Sequence, residues 1–518
     1  MSVAVAVVLI VTAAVSIYRW TWVSQKEHYL APAVSVAALR WIRAYLLNAG
    51  VAAVAAAGAV ASLGLAAAGT EAAGPFALGS MVLAAAFPLG MDPRAVRLRF
   101  TRRASFQTGV TCILVAAIAA AARFGAGRIG AVAIAVVLVP LVVDASAALL
   151  RPVEARLAGR FVKEASVKLQ RVGPRVVAIT GSWGKTSTKN HLADLAGAFY
   201  QTVASPASWN NTPGVARTIN EKLVTGTDLL ILEMGTYGPG EIRQMCSWTR
   251  PEIAVICEIG PMHLERMKTV DTIVRAKAEI TESADQVVLW VDNPHLDALA
   301  NELGSGHKLW RVGRAGRAGL DVSVREGDGD GIEFFWGETL VGSAPLQGRV
   351  QPGNVACAVA ASLALGLSPT RVGSRLANLS APPHRAVASR SERGVWVIDD
   401  TYNSNPAGAA SALERLLQLN PDGRRVVITP GMVELGSLQS AANRDFAAAV
   451  AAGGAELLVV GRTNHKDLLA GFGQVRRSGT EPGAITVADR EAARSWVAAN
   501  LQSGDAVLWE NDLPPHYP

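Results

Sequence analysis

The sequence predicts an α-helical membrane segment followed by an α/β part built on parallel sheets. Five long apolar stretches fill residues 1–150, and from about residue 172 short β-branched runs alternate with helical stretches. Such alternation is typical of doubly wound parallel sheets. The charge divides in the same region, because residues 1–163 hold 15 Lys and Arg against 5 Asp and Glu, whereas the remainder holds 34 against 37. The 518 residues therefore form two unlike parts.

The apolar stretches have the composition of membrane helices. Residues 46–68 and 131–150 each contain about 20 residues, enough to cross about 30 Å of hydrocarbon. The other three are shorter, at residues 3–17, 76–91 and 108–122. Because five such stretches follow one another without amphipathic charge, the sequence predicts about five transmembrane helices within residues 1–160. We prefer this to a set of buried core helices or a cleaved signal peptide.

The basic residues predict how these spans are oriented. Residues 19–45 contain four Lys and Arg and residues 92–105 contain five, whereas residues 69–75 contain none. By the positive-inside rule, both basic loops and the α/β part lie on the cytoplasmic side of the cell membrane. The basic pI of about 9.4 is then an orientation signal rather than evidence for a nucleic-acid partner. Asp144, inside the last stretch, is expected either to have a function or to pair with a helix-end residue such as Arg151.

The α/β part divides into two predicted domains. Residues 165–380 contain four predicted strands and then a Gly-rich, charged section, at 313–343, that we expect to be antiparallel or irregular. Pro382 and Pro383 mark a linker, and residues 381–518 contain a second α/β set. The predicted strands are residues 176–180, 229–233, 253–256 and 287–291 in the first set, and 395–398, 425–429, 457–460, 484–487 and 506–509 in the second.

A glycine-rich loop follows the first predicted strand and opens a helix. Glycines let the backbone N–H groups curl around phosphate, and the helix N-terminus adds a positive dipole. Lys185 can neutralise phosphate oxygens, and the Thr186 hydroxyl can hold Mg²⁺. The predicted nucleotide-binding residues of this loop are Gly181, Ser182, Gly184, Lys185, Thr186 and Ser187.

The run TGSWGKTSTK, residues 180–189, resembles the phosphate loop of the Mur ligase family, the ATP-dependent ligases that build peptidoglycan stem peptides. Two late motifs most resemble the branch that adds D-alanyl-D-alanine: YNSNP at 402–406 and GMVELG at 431–436. Further matches follow in the family's order: WNNTPGV (209–215), LEMGTYGPGEI (232–242), IGPMHLERM (259–267), AKAEI (276–280), PGNVACAVAA (352–361), PHR (383–385) and IDDTYNSNP (398–406).

The resemblance implies a P-loop central domain, a Rossmann-like C-terminal domain and amide-bond formation through an acyl phosphate. It also implies two Mg²⁺ sites. Thr186 and Glu233 resemble the ligands of the first Mg²⁺, and His263 resembles a ligand of the second. Lys277 resembles the lysine that the family carbamylates into a metal bridge, and with Lys185 and His263 it completes the predicted catalytic set. Without the family context, His263 would be a surface-loop histidine and Lys277 a solvated helix lysine.

The resemblance also assigns nucleotide and substrate contacts. Asn354 resembles the adenine-contacting asparagine, Arg385 the phosphate-contacting arginine and Asp400 the ribose-binding acid. The predicted substrate-facing residues are Asn210 and Asn211 near the acceptor, and Tyr402, Asn403 and Asn405 near the incoming amine. The alternatives are an ordinary linker charge for Arg385 and an asparagine-rich turn for residues 402–405.

The sequence departs from the family pattern in several places. Gly353, Cys357 and Glu258 stand where the family often has His, Asn and Asn, and Ala407 stands where it usually has Asp. Membrane spans also stand where a soluble acceptor-binding domain usually begins the chain. We therefore expect a membrane-anchored amide ligase whose carboxylate acceptor is lipid-linked or unusual and whose amine is an amino acid or dipeptide. The alternatives are a ligase forming another envelope amide, such as a γ-linked glutamate polymer, and a non-catalytic ATP-binding membrane scaffold.

Overall fold

The chain forms two compact units in a computed structural model. The helical unit comprises Met1–Arg156, Gly461–His465 and Asp512–Pro518, and the α/β unit comprises Leu157–Val460 and Lys466–Asn511. The structure describes residues 3–91, 98–121, 125–206, 209–327, 331–345, 351–379, 387–401, 404–419, 423–475, 483–514 and 516–518.

The helical unit contains fewer long apolar helices than the sequence predicts. Three described helices are long and apolar enough to cross a membrane, or four if a bent pair counts as one span. The helix α4 has 14 residues, so it is about 21 Å long and shorter than a bilayer's hydrocarbon core. The helices are α1 (Val3–Lys26), α2 (Ala33–Ala44), α3 (Leu46–Ala67), α4 (Ala73–Ala86), α5 (Arg102–Ala121), α6 (Gly125–Val137) and α7 (Val139–Val172).

The bent pair is α6 and α7, which divide the predicted stretch at residues 131–150 between two helices. The two helices meet at an angle of 75°. Pro140 lies in the first turn of α7. A proline lacks the N–H that would continue the helical hydrogen bonds, and its ring clashes with the preceding turn. The apolar run therefore continues through a break in the backbone.

Two charged side chains of the helical unit differ from their predicted settings. Arg19 lies within α1, not in a loop, and donates to the carbonyls of Ala85, Ala86 and Phe87 at 2.8 to 3.0 Å. It thus satisfies carbonyl groups at the end of α4. Asp144 accepts hydrogen bonds from the backbone N–H groups of Val34 and Ser35, at 3.2 and 2.8 Å. Asp144 therefore caps the start of α2, and the predicted pairing of Asp144 with Arg151 is wrong.

The larger sheet of the α/β unit has nine strands in the order β2-β3-β1-β4-β5-β6-β7-β8-β9. Strands β1 to β7 pair in parallel, and β8 and β9 extend the sheet antiparallel. The expected antiparallel section is thus part of the main sheet. The strands are β1 (Arg175–Thr180), β2 (Thr202–Ala204), β3 (Leu229–Glu233), β4 (Ile253–Ile256), β5 (Gln286–Trp290), β6 (Lys308–Arg314), β7 (Val322–Glu326), β8 (Gly331–Trp336) and β9 (Thr339–Pro345).

The central strands β1, β3 and β4 are almost entirely buried, as their continuous apolar runs predict for a parallel sheet covered on both faces. The covering helices join successive strands and bring the carboxyl ends of these strands to one edge. They are α8 (Lys185–Ala196), α9 (Thr212–Lys222), α10 (Glu241–Thr249), α11 (Leu264–Met267), α12 (Val270–Ala278), α13 (Pro294–Leu303), α14 (Pro352–Ala364) and α15 (Pro369–Leu376).

The second sheet has six strands in the order β10-β11-β15-β12-β13-β14. Only the β10–β11 pair is antiparallel among its described pairings. This order places the ends of β11 and β15 side by side, with Asp400 opposite Glu510. The elements are β10 (Val387–Arg390), β11 (Trp396–Asp400), α16 (Pro406–Gln418), β12 (Arg425–Thr429), α17 (Gln439–Ala452), β13 (Glu456–Val460), α18 (His465–Val475), β14 (Ala484–Val487), α19 (Arg490–Asn500) and β15 (Ala506–Glu510).

Candidate active site

The predicted phosphate loop joins β1 to α8 at the carboxyl edge of the larger sheet. Gly184 has a φ of 84°, in the left-handed region that favours glycine. A Cβ there would lie 2.3 Å from Oδ1 of Asn354, so a side chain would also clash. The N-terminus of α8 follows directly, and the N–H groups at a helix N-terminus suit an anion.

Hydrogen bonds to the segment after β4 hold this loop. The Ser182 N–H donates to the Glu258 carbonyl at 2.7 Å. The Ser182 hydroxyl donates to the Gly260 carbonyl at 3.0 Å and accepts from the Gly260 N–H at 2.9 Å. Lys185 Nζ donates to the carbonyls of Gly181 and Ser182, at 2.7 and 3.2 Å. Ser182 therefore braces the loop, while the Lys185 ammonium lies over it.

Glu233 ends β3 beside this loop and gathers three polar partners. Its carboxylate accepts from the Thr186 hydroxyl and from the Asn210 amide, both at 2.9 Å. Lys189 Nζ lies 3.5 Å from Oε2 of Glu233 and donates to the Ser205 carbonyl at 2.8 Å. Burial lowers the pKa of Lys189, and the nearby Glu233 charge opposes that shift. A buried anion is thus compensated by a buried cation.

The oxygen donors at Glu233 fit Mg²⁺. A carboxylate and a hydroxyl beside a phosphate loop are hard ligands, and Mg²⁺ completes its octahedron with phosphate oxygens and waters. Among the residues that the structure describes, no group of three or more His, Cys, Asp or Glu side chains converges on one point. The donor set therefore suits a metal shared with a nucleotide better than a site made by protein alone.

His263 faces the C-terminal domain. Its Nδ1 lies 2.5 Å from Oε2 of Glu434, and the Tyr237 ring packs edge-on at 5.3 Å. A carboxylate that accepts from Nδ1–H leaves Nε2 as the basic nitrogen, the usual arrangement behind a metal-binding histidine. Contacts with Glu434 and Tyr237 therefore hold the His263 ring, which distinguishes it from a free surface-loop histidine.

Lys277 lies near the end of α12 and is 3% exposed. Burial places the pKa of Lys277 well below its ordinary value, and the neighbouring Lys185 charge lowers it further. The alternative of a solvated helix lysine is therefore wrong. A buried amine with a lowered pKa fits the chemistry of carbamylation, which remains a prediction.

A cleft of about 730 Å³ opens beside Gly184 and brings together three residues that were predicted separately. Asn354, Asp400 and Asn405 all line it, although they come from α14, β11 and the start of α16. The indole rings of Trp183 and Trp290 line the same cleft. It therefore combines flat apolar surfaces with polar groups and adjoins the phosphate loop, as a nucleotide pocket requires.

The C-terminal domain has a buried carboxyl of its own at Glu510. It accepts hydrogen bonds from the hydroxyls of Ser404 and Thr429 and has no exposed surface. Burial raises the pKa of Glu510 to about 7; the two hydroxyls oppose the shift and Asp400 adds to it. This side chain therefore exchanges a proton near neutral pH.

Two predicted substrate residues also serve as helix caps. Asn405 Oδ1 accepts from the Gly408 N–H at 2.9 Å and starts α16, and Asn211 Oδ1 accepts from the Gly214 N–H at 3.0 Å and starts α9. Capping explains their residue type without a ligand. Arg385, Tyr402 and Asn403 lie outside the described residues.

The sequence interpretation assigned no role to Lys189, Glu434, Glu258 or Glu510. The sequence did contain an indication for Lys189, because it lies one helical turn after Lys185 and must share the same helix face. Glu510 ends an apolar strand as Glu233 does. The contacts of Glu434 and Glu258 join segments that are distant in sequence, so the sequence alone did not indicate them.

Two family models match the chain in order. The Mur ligase middle domain matches residues 179–362, and the Mur ligase, glutamate ligase domain, matches residues 384–510. These ranges correspond to the two sheets of the α/β unit and include most of the site residues described above.

Individual relatives agree with these matches. The chain is 31% identical over 335 residues to the UDP-N-acetylmuramoyl-tripeptide–D-alanyl-D-alanine ligase of Escherichia coli (strain K12), covering 63% of this chain and 72% of the relative. It is 31% identical over 393 residues to the enzyme of that name from Mycobacterium tuberculosis (strain H37Rv), covering 70% and 75%. The fold resembles the MurF ligase from Thermotoga maritima in complex with ADP, with a TM-score of 0.59, 24% identity and coverage of 68% and 80%. The chain belongs to the Mur ligase family and is an ATP-dependent carbon–nitrogen ligase.

Proposed function

We propose that this ligase joins the terminal carboxylate of a muramoyl-peptide precursor to D-alanyl-D-alanine, through an acyl phosphate and with Mg²⁺. The names of its relatives in Escherichia coli and Mycobacterium tuberculosis support this substrate pair. The observation that carries the proposal is the contact between Thr186 and Glu233 beside the phosphate loop. This contact supports the proposal because a hydroxyl and a carboxylate beside a phosphate loop are the hard oxygen ligands that Mg²⁺ prefers.

The reaction crowds three anions: the acceptor carboxylate, the γ-phosphate and the developing acyl phosphate. Lys185 and the N–H groups at the start of α8 stabilise phosphate charge. Mg²⁺ held by Thr186 and Glu233 would neutralise further charge and orient the phosphates. Asn210 holds Glu233 in position through its amide. Together these groups lower the repulsion that a carboxylate meets when it approaches ATP.

The remaining predicted residues complete the proposal. By the family resemblance, Asn354 would contact the nucleobase, Arg385 the phosphate and Asp400 the ribose. His263 and Lys277, the latter as a carbamate, would hold a second Mg²⁺, which would neutralise further phosphate charge. By the family resemblance, Asn210 and Asn211 would contact the acceptor, and Tyr402, Asn403 and Asn405 would contact the amine. Since Ala407 replaces the family's usual Asp in this last motif, the choice of amine is the part of the proposal that most needs measurement.

We infer further that the helical unit anchors the enzyme in the cell membrane with its α/β unit on the cytoplasmic side. The apolar composition and lengths of α1, α3 and α5 support this location. Such an anchor suits an acceptor that is itself lipid-linked. The proposed preference for a lipid-linked acceptor can be tested with a version of the chain that lacks residues 1–160. Unchanged ligation rates with UDP-linked and lipid-linked acceptors would contradict it.

The decisive experiment offers the detergent-purified full chain ATP, Mg²⁺, UDP-linked or lipid-linked acceptor, and either D-alanyl-D-alanine or L-glutamate, with products identified by mass. We expect phosphate release that requires both acceptor and amine, and a D-alanyl-D-alanine adduct. Lys185→Ala should reduce kcat by about 10³-fold through lost charge stabilisation. Lys222→Ala, an exposed lysine on α9, is the matched control. Glutamate products would favour the polymer alternative, and phosphate release independent of amine would contradict ligation.

A further inference from the structure

Glu258 departs from the family pattern and lies in the wall of the nucleotide cleft. It follows β4 by two residues, and its side chain is half-buried among the cleft-lining residues. Its Oε1 accepts from the Asn293 amide and, at 3.2 Å, from the Ile259 N–H. This carboxyl is therefore held at one oxygen while it faces the cleft.

Asn293 fixes Glu258 because all of its own groups are used. Its Oδ1 caps α13 by accepting from the N–H groups of His295 and Leu296, at 3.0 and 3.3 Å. Its amide donates to the Ile259 carbonyl at 2.8 Å as well as to Glu258. Oε2 of Glu258 has no hydrogen-bond partner among the residues that the structure describes. The cleft thus presents one positioned acceptor.

The surroundings of that acceptor fit a purine. Trp183 and Trp290 line the cleft with Glu258, and both indoles are fixed by close packing on glycines. A Cβ on Gly260 would lie 1.9 Å from Trp183, and a Cβ on Gly353 would lie 3.0 Å from Trp290. Aromatic planes bind a base by stacking but do not distinguish one base from another. Discrimination must come from polar groups such as Glu258.

We propose that Glu258 reads position 6 of the purine, accepting a hydrogen from the amino group of adenine and repelling the 6-oxo group of hypoxanthine or guanine. A carboxylate only accepts hydrogen bonds, whereas an asparagine amide can turn to donate or accept. The substitution of Glu for the family's usual Asn therefore makes this position stricter. The proposal rests on nucleotide binding in the cleft, as in the proposed function.

The charges around Glu258 favour this role. Burial raises the pKa of Glu258, and the Asp292 charge adds to the shift, while its bonds to Asn293 and Ile259 oppose it. Asp292 itself accepts from the Arg314 N–H at 3.1 Å, and Arg314 lines the cleft. A hydrogen bond donated by the amino group of adenine would compensate the carboxylate for its partial loss of hydration. A 6-oxo group would instead place a second acceptor against it.

Calorimetric binding of ADP, IDP and GDP to the full chain at pH 8.5, with Mg²⁺ and without acceptor, tests the proposal. ADP and IDP differ in the group at position 6 and the hydrogen on N1, and no turnover occurs. We expect ADP to bind at least about 30-fold more tightly than IDP, since with IDP the half-buried Glu258 carboxylate is left facing a second acceptor. Glu258→Gln should narrow the ratio to about 3-fold or less, mainly by tightening IDP.

Glu302→Gln, an exposed carboxylate on α13, is the matched control and should keep the wild-type ratio. Equal binding of ADP and IDP by the wild type would overturn the proposal even if no variant folds. So would GDP binding as tightly as ADP, because the carboxylate would then be reading the N1 and N2 edge of guanine. Absence of binding by all three nucleotides would overturn the nucleotide site itself, and so separates the two failures.

Discussion

Two glutamates occupy equivalent places in the two sheets, and their surroundings differ. Glu233 ends β3 and Glu510 ends β15, and they are 1% and 0% exposed. Glu233 is within 3.5 Å of a lysine ammonium and accepts from an amide and a hydroxyl. Glu510 accepts from two hydroxyls and lies beside a second acid, Asp400.

The difference shows that position in a fold sets access to ligands, whereas neighbouring charge sets what the group can do. Carboxyl ends of parallel strands are where such sheets bind ligands. Glu233 has the Lys189 ammonium beside it and oxygen donors suited to a metal. Glu510 has no cation beside it among the residues that the structure describes, and burial raises its pKa to about 7.

Removing the compensating cation should have the largest effect on stability. Lys189→Met leaves the buried Glu233 charge without its partner, and we expect a loss of about 3 to 5 kcal/mol in the free energy of unfolding. Urea unfolding of the α/β unit, followed by circular dichroism in the full chain, measures it. Lys222→Met is the exposed control, and the double variant Lys189→Met, Glu233→Gln should recover most of the loss. A loss below about 1 kcal/mol in the single variant would show that the two charges do not interact.

Neutralising each glutamate in turn separates their chemistry. Glu233→Gln removes the proposed Mg²⁺ ligand, so kcat should fall by at least about 10²-fold and the Mg²⁺ concentration for half-maximal rate should rise. Glu510→Gln, a buried carboxyl treated identically, should leave the Mg²⁺ requirement unchanged. Steady-state rates across a Mg²⁺ titration decide between them. An equal shift in both variants would show that the two glutamates do not differ in their effect on the Mg²⁺ requirement.

The pH dependence of stability sharpens the same contrast. Because the pKa of folded Glu510 is about 7, above its usual value of 4.5, its stabilising contribution is present below pH 4.5 and lost as the pH rises through 7. The loss is about 3 kcal/mol by pH 8.5. The Glu510→Gln variant should not show this pH-dependent loss of stability. Its amide nitrogen can face the Ser404 hydroxyl, and its amide oxygen can face the Thr429 hydroxyl. Thermal unfolding at pH 5 and 8.5 measures this, and a wild type and variant with parallel pH profiles would contradict the raised pKa.

The smallest effect concerns Asn405, which caps α16 and lines the cleft. Asn405→Ala should cost about 1 kcal/mol of stability, and Asn405→Ser should restore most of it because serine also caps helices. If Asn405 also binds the amine, the serine variant should keep an elevated KM for the amine. Full recovery of KM in Asn405→Ser would leave capping as its role. Asn211→Ala and Asn211→Ser on α9 provide the matched pair.

Local features of the α/β unit were predictable because they depend on neighbours in sequence. The buried strand β1, the left-handed Gly184 and the start of α8 follow from an apolar run, a glycine and a helix former in succession. The break between α6 and α7 also depends on local sequence, since Pro140 stands in the apolar run. A prediction from hydropathy alone did not detect this break. The caps at Asn211 and Asn405 look like ligand motifs because the same residue types serve both purposes.

The sequence by itself determined the helical and α/β parts, the phosphate loop and the family that its motifs resemble. Tertiary structure alone decided that Lys189 lies beside Glu233, that Glu434 contacts His263, that Glu258 lines the cleft and that Glu510 has no cation beside it among the described residues. The reason is physical. Backbone preferences and apolar periodicity act over a few residues, whereas charge, desolvation and proton affinity depend on whatever the fold brings within a few ångströms.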